Sequence, residues 1–514
     1  MRGIPSLITD IRKKVFTEVA RMAYSGEDYT KAEDLPFLIV PGDQPLHRES
    51  IFLERAIAGE RVRLAMGLSV RSVQTRSLMT EGMDHAAIAQ QYYEPPLVNI
   101  IPYACHACPA NRYWVTDVCQ NCLAASCQQV CPREAITFVN GKSRIDPAKC
   151  IRCGKCAQAC SYHAIVHLER PCQAACGMDA IGTDEHGRAT INQEKCVACG
   201  QCLVSCPFGA IVDKGQIYQV VRSIMQGDKV IAILAPAFAR QFGKDVTFAK
   251  LVSALRQLGF ADVVEVAIGA DICAVEEAKD FVENVPANQP FMATSCCPAW
   301  HAMVHKLFPA QAKNISMTLT PMVYTARMVK REQPEAKIVF VGPCAAKKLE
   351  AIRENIRSDV DFVLTFEELQ GMFEAKDVNF ETLEDAPDAE NAGTAAGRGF
   401  AVAGGVAQAV VDIIHERYPD MEIKVANAEG LRDCRKLMSM AKIGRYNGYL
   451  LEGMACPGGC VAGAGTLLSI DQAAKGVAME QKNATRKNPL ESEFSSLAEE
   501  LNQLLSLIHI SEPT

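Results

Sequence analysis

Sixteen of the 23 cysteines crowd between Cys105 and Cys206, and none precedes Cys105. Four segments in this stretch share one pattern: "CLAASCQQVCPREAI", "CGKCAQACSYHAI", "PCQAACGMDAI" and "CGQCLVSCPFGAI". Each holds Cys-x3-Cys, then Ala-Ile four and five residues beyond the last cysteine. Thiols at this density are cross-links or metal ligands. In a 514-residue chain whose opening "MRGIPSLITDIRKKVFTEVA" has no apolar signal region, metal is the expectation. The same opening predicts a cytoplasmic protein.

Two runs, 150/153/156/160 and 196/199/202/206, have the Cys-x2-Cys-x2-Cys-x3-Cys spacing of bacterial ferredoxins, and a third, 119/122/127/131, carries two extra residues after its second cysteine. Three thiolates on a tight loop hold three irons of one cubane, and the fourth reaches the neighbouring cluster. Cys119, Cys122 and Cys127 therefore pair with Cys160, and Cys150, Cys153 and Cys156 with Cys131. Ser161 stands where proline usually follows, which weakens the turn signal without removing a ligand. Cys105-x2-Cys108 and Cys172-x3-Cys176 are halves that join if this unit is inserted inside an outer one. Cys105, Cys108, Cys172 and Cys206 then share one cluster, and Cys176, Cys196, Cys199 and Cys202 another. Sixteen ligands make four [4Fe–4S] clusters, a wire that implies something at its end. Zinc sites lack this spacing.

The net charge of −7 and the pI near 5.9 argue against nucleic acid or an anionic membrane as partner. No uncharged apolar run is long enough to predict a transmembrane helix. The length exceeds what one core supports. Beyond Cys206, "KVIAILAPAF", "KIVFVGPC" and "GYLLEGMAC" read as buried strands and "AVAGGVAQAVVDIIHERY" as a helix, which predicts an α/β domain with sites on loops at strand ends.

Five of the seven remaining cysteines lie in three stretches: "TSCCPAW" from Thr294, "PCAAKKLE" from Pro343 and "EGMACPGGC" from Glu452. In order, these resemble the three signature motifs of the [FeFe]-hydrogenases, over roughly residues 230–465. The resemblance implies that Cys297, Cys344, Cys456 and Cys460 ligate a cubane, with the Cys460 sulfur bridging to a di-iron unit carrying CO, cyanide and a dithiolate. Together these form the H-cluster. It also implies that Cys296 passes protons, as a thiol whose pKa can be moved toward neutrality. Lys347 is implied to donate to an iron-bound cyanide, and Ala235, Pro236 and Met454 to line the pocket. The glycines of the third motif let backbone press against a bulky group. The implied reaction is 2H⁺ + 2e⁻ ⇌ H₂, with ferredoxin or a similar one-electron carrier as donor and maturation proteins supplying the di-iron unit. No dinucleotide or flavin fingerprint predicts direct NAD(P)H use. A hydrogen sensor of the same fold, or an iron–sulfur carrier or scaffold lacking the di-iron unit, are the alternatives.

The chain departs from the family at several points. "GADICAVEEAKD" offers Glu277 and Asp280 as relay candidates, residues whose commoner fate is a helix surface. In "NISMTLTP", Met317 falls at or next to the usual relay serine, and a thioether cannot relay a proton. Gly342, Ala462 and Ala464 replace the usual methionine, asparagine and glycine. Cys273 and Cys434 read as buried free thiols.

The expected fold is therefore a multidomain α+β and α/β chain. Residues 1–95 form a helical extension, with "DLPFLIVPGDQP" as a proline-marked break. Residues 96–215 form nested ferredoxin-like units, 216–490 a two-lobed H-cluster domain, and 491–514 a tail. "LAEELNQLL" reads as a closing helix, and the final "SLIHISEPT" resembles translated adapter sequence, with disorder expected there.

Overall fold

The computed structural model describes residues 3–86, 95–109, 111–353, 356, 359–390 and 392–502. The closing "SLIHISEPT" lies outside them.

The N-terminal extension is helical. Helix Leu7–Ser25 starts at a capping box between Ser6 and Thr9 and stops at left-handed Gly26. Its apolar stripe, including Val15, Phe16, Val19 and Ala23, is buried against helix Phe366–Ala375. The crossing is close because Gly371 has no side chain; a Cβ there would run into Phe16. The expected proline-marked break contains a short helix, Leu35–Ile39. Pro36 sits in its first turn, where a missing N–H costs nothing.

The nesting is visible in the strand pairs. Val98–Ile100 pairs antiparallel with Ile211–Asp213, and inside it Arg112–Val115 pairs with Ile165–Leu168. Inside that again, Ile136–Val139 and Lys142–Ile145 form a hairpin closed by Asn140-Gly141, both with positive φ. The hairpin Ile181–Thr183 with Ala189–Ile191 completes the outer unit.

Beyond residue 216 there are two parallel sheets. One has the strand order Asp262–Glu265, Val230–Leu234, Lys337–Gly342, Phe362–Thr365. The other has Met292–Ala293, Tyr449–Met454, Lys424–Glu429. The inner strands of the first sheet are buried and rich in β-branched residues, as a sheet covered on both faces requires, whereas in the second sheet Tyr449–Met454 is buried and its neighbour Lys424–Glu429 is partly exposed. In the segment after 491, Ala498 and Leu501 are buried, and Arg327 donates to the Leu501 carbonyl. Apolar side chains at these two positions dock the segment onto the second lobe's core.

Candidate metal centre

The cysteine loops repeat one backbone form four times. The residue before the second cysteine of the first Cys-x2-Cys pair in each loop, namely Ala107, Asn121, Arg152 and Ala198, is left-handed. So is the third residue after each closing cysteine: Glu134, His163, Asp179 and Gly209. Non-glycine residues enter this region only under constraint. Here it turns N–H groups onto sulfur: Ala135 to Cys131 (3.3 Å), Ala164 to Cys160 (3.3 Å) and Ala180 to Cys176 (3.4 Å). This accounts for the repeated Ala-Ile. The buried alanine donates to sulfur, and the isoleucine starts a strand at 136, 165, 181 or 211. Ser161 leaves this turn unchanged.

Cys119, Cys122, Cys127 and Cys160 line one cavity, and Cys131, Cys150, Cys153 and Cys156 another. The thiols whose charges Cys172 feels are Cys206, Cys105 and Cys108, and Cys202 is next to Cys199, Cys196 and Cys176. Among the described residues no three His, Cys, Asp or Glu side chains stand close enough to hold a single ion.

The largest convergence lies between the two lobes, outside the carboxyl ends of their strands, where open α/β sheets bind ligands. Strand Val230–Leu234 runs into Ala235-Pro236, and Lys337–Gly342 into Pro343-Cys344. Met292–Ala293 leads to Cys296-Cys297, and Tyr449–Met454 to Ala455-Cys456. Cys297, Cys344, Cys456 and Cys460 all line one cavity of about 850 Å³, together with Cys296, Lys347, Ala235, Pro236 and Met454. Trp300 donates to the Thr294 carbonyl (3.1 Å) and lies where a Cβ on Gly453 would stand.

Gly459 and Gly463 line the cavity, and the third-motif glycines also have close protein neighbours. A Cβ on Gly459 would meet the Ala403 nitrogen at 2.5 Å; one on Gly463 would strike the Pro343 carbonyl, and one on Gly465 the Thr365 side chain. They let three protein loops close on each other, which brings the thiols together. Gly458 and Gly459 also have positive φ (91° and 92°).

Electrostatics test the fit to a multivalent group. Burial pushes Cys344 up to about 11, with Cys297 adding to it, and pushes Cys456 and Cys460 well above the thiol range. Four crowded thiolates are stable there only against strong positive charge, and metal binding must displace their protons. Backbone N–H groups are already aimed at two of them: Ala455, Trp300 and Ala299 at Cys297, Lys347 and Ala346 at Cys344. The donor set and the glycine-closed loops fit an iron–sulfur group.

Burial, then the charge of Glu277, raises the Cys296 pKa well above the thiol range, so it rests protonated. Lys347 is buried, which opposes its charge. Glu350 at 2.7 Å outweighs this and holds its pKa above the usual lysine value. Its Nζ also donates to Thr320 Oγ1 (3.2 Å), and Thr320 donates to Glu350 (2.6 Å).

Glu277 lies fully inside helix Ala267–Asn284's packed face instead of on its surface. Its Oε1 accepts from Ser295 N (2.8 Å) and Ser295 Oγ (3.0 Å), while its buried Oε2 has no hydrogen-bond partner. Burial lifts its pKa from 4.5 to about 7. Asp280, one turn on, is half-buried and accepts from Ser316 Oγ (3.0 Å). Ser316, next to Met317, faces Asp280. Met317 is 88% exposed, and Ser316 carries the hydroxyl. The serine one position earlier was the available signal. Cys273 and Cys434 are buried.

Residues 228–464 match the family described as iron only hydrogenase large subunit, C-terminal domain. Residues 189–212 match a 4Fe-4S binding domain and 112–161 a 4Fe-4S dicluster domain. Fold and thiols thus define an iron–sulfur protein in which ferredoxin-type units adjoin a two-lobed α/β domain. Iron hydrogenase 1 of Clostridium pasteurianum is 31% identical, covering 65% of this chain and 67% of that one. The periplasmic [Fe] hydrogenase large subunit of Nitratidesulfovibrio vulgaris is 32% identical, covering 63% and 85%. A probable cytosolic Fe-S cluster assembly factor of Aedes aegypti is 27% identical over 45% of this chain and 59% of its own length. The chain belongs to the iron-only hydrogenase family. No described helix is long and apolar enough to cross a membrane.

Proposed function

We propose that the protein interconverts protons, electrons and H₂ at an H-cluster held by Cys297, Cys344, Cys456 and Cys460, fed through four [4Fe–4S] clusters at the sixteen cysteines between 105 and 206. The observation that carries this reading is one buried cavity onto which those four thiols, a protonated thiol and a buried ammonium all converge. When bound, the cluster supplies the metal site at which the H–H bond is made or broken.

The chain's own residues bind, orient and move protons. Lys347 is ion-paired with Glu350 and donates one N–H to Thr320, which leaves N–H capacity for an anionic ligand of the cluster. Cys296 Sγ holds a proton at the cavity wall. Behind it, Ser295 fixes Glu277 so that one carboxylate oxygen is saturated and the other is free to take the proton. Ser316 and Asp280 extend the line toward solvent. A carboxyl near 7 exchanges protons in both directions at neutral pH. Pro298, Met322, Phe340 and Phe400 line the same cavity and exclude water. The electron donor in this reading is ferredoxin or a similar one-electron carrier, and maturation proteins deliver the di-iron unit in the cytoplasm.

The test is infrared spectroscopy of anaerobically matured protein, with H₂ production from a reduced dye. Bands of iron-bound CO and cyanide together with H₂ are expected, and Cys296→Ala keeps the bands while losing most turnover. Absence of bands after full maturation overturns the reading in favour of a cluster carrier or assembly protein. Bands without H₂ overturn it in favour of a sensor.

A further inference from the structure

The ferredoxin segment touches the cavity at one place. Cys199 lines it, and left-handed Gly200 brings the next turn so close that a Cβ there would stand 2.5 Å from the Ala464 Cβ. Gln201 follows, and its Nε2 lies 3.1 Å from Cys456 Sγ, across 255 residues of sequence. A thiolate only accepts, so the amide must present N–H and not its oxygen to the sulfur.

We propose that Gln201 is a positioning residue for electron entry: its amide donates to the Cys456 sulfur and raises the midpoint potential of the cubane at Cys297, Cys344, Cys456 and Cys460. The inference rests on the proposed ligand role of Cys456. Hydrogen bonds to cluster sulfurs are one of the protein's levers on potential, because an N–H donor stabilises the extra negative charge of the reduced form. One electron leaves the cluster at Cys176, Cys196, Cys199 and Cys202, and one arrives at the cubane. The donor therefore makes the final transfer more downhill. Cys199, one of the thiols of that ferredoxin-type loop, lines the cavity itself, which makes this loop the point of electron entry.

The experiment compares wild type with Gln201→Leu and Gln201→Glu in two states. Protein expressed without maturation, and so without the di-iron unit, is titrated with EPR detection of the cubane signal. Matured protein is titrated by infrared spectroelectrochemistry, where cubane reduction steps the CO and cyanide bands. Gln201→Leu should lower the reduced-to-oxidised ratio at fixed potential about fivefold, or about 40 mV at 59 mV per tenfold for one electron. Gln201→Glu should lower it further, because it adds negative charge. A midpoint equal to wild type in Gln201→Leu overturns the proposal, as a purely packing role leaves the potential unmoved. Should Gln201→Leu not assemble the cubane, an unshifted Gln201→Glu overturns it. Wild-type protein with a cubane EPR signal but no infrared bands would sink the hydrogenase reading and leave this one standing or falling on its own titration.

Discussion

Glu277→Gln tests the proton line at its most constrained point. The amide keeps the oxygen that accepts both Ser295 hydrogen bonds, and it places an NH₂ where Oε2 has no partner. An unpaired buried N–H costs about 1–3 kcal/mol. Loss of a general acid–base group slows turnover about 10²–10⁴-fold, equivalent to about 3–5 kcal/mol on the barrier. Stability should respond in the opposite sense as pH rises. Burial holds the native carboxyl near 7 against an ordinary 4.5, so its charged form is disfavoured by about 3 kcal/mol in the fold. The native state binds this proton more tightly than the unfolded chain does. Its contribution is therefore full below 4.5 and is lost as pH rises through 7. The glutamine variant escapes that loss and should gain on wild type across this window. H₂ production from a reduced dye, and melting of anaerobic protein at about pH 5 and about pH 8, measure both effects. Turnover within about threefold of wild type would refute the relay. A melting difference that is the same at both pH values would refute the assignment of a buried, high-pKa carboxyl.

Ser316→Ala should cut turnover at least about tenfold with cluster content intact, whereas Met317→Ser, at an exposed position, should leave H₂ production at wild-type level. In Gly459→Ala, left-handed backbone costs about 1–2 kcal/mol before the clash with Ala403 is counted, and iron analysis with EPR should find the cavity cubane missing. Lys348 bridges Asp213 (2.8 Å) and Glu368 (3.0 Å) out of water, so Lys348→Met strands two carboxylates. About 3–5 kcal/mol of destabilisation should appear as a lower melting temperature, and an unchanged one would mean that Arg12 compensates Asp213 fully.

Most of the thiol architecture was legible because cysteine spacing encodes loop geometry directly. The split runs at Cys105-x2-Cys108 and Cys172-x3-Cys176 could be joined only by assuming insertion, and the strand pair Val98–Ile100 with Ile211–Asp213 is the physical form of that insertion. Strands such as Lys337–Gly342 were readable as apolar runs. What the sequence concealed depends on partners far along the chain. Glu277 looks like a surface charge, and only the Ser295 loop 18 residues away makes it a buried acceptor. The third-motif glycines suggest close backbone approach to a cofactor, but not that Pro343, Thr365 and Ala403 also stand against them. Ser316 lies one residue before Met317, a distance that matters because adjacent side chains on an extended segment point to opposite sides.

Helix Leu7–Ser25 bonds to partners made at the other end of translation: Arg12 holds Glu367 at 2.5 Å across 355 residues. During synthesis its apolar stripe waits for helix Phe366–Ala375 to be made. The ferredoxin-type loops, whose partners are mostly local, are complete long before it docks. These loops can thus close on a growing chain, whereas the four-thiol cavity closes only once the ribosome has passed Cys460. The order of assembly is written into contact distance.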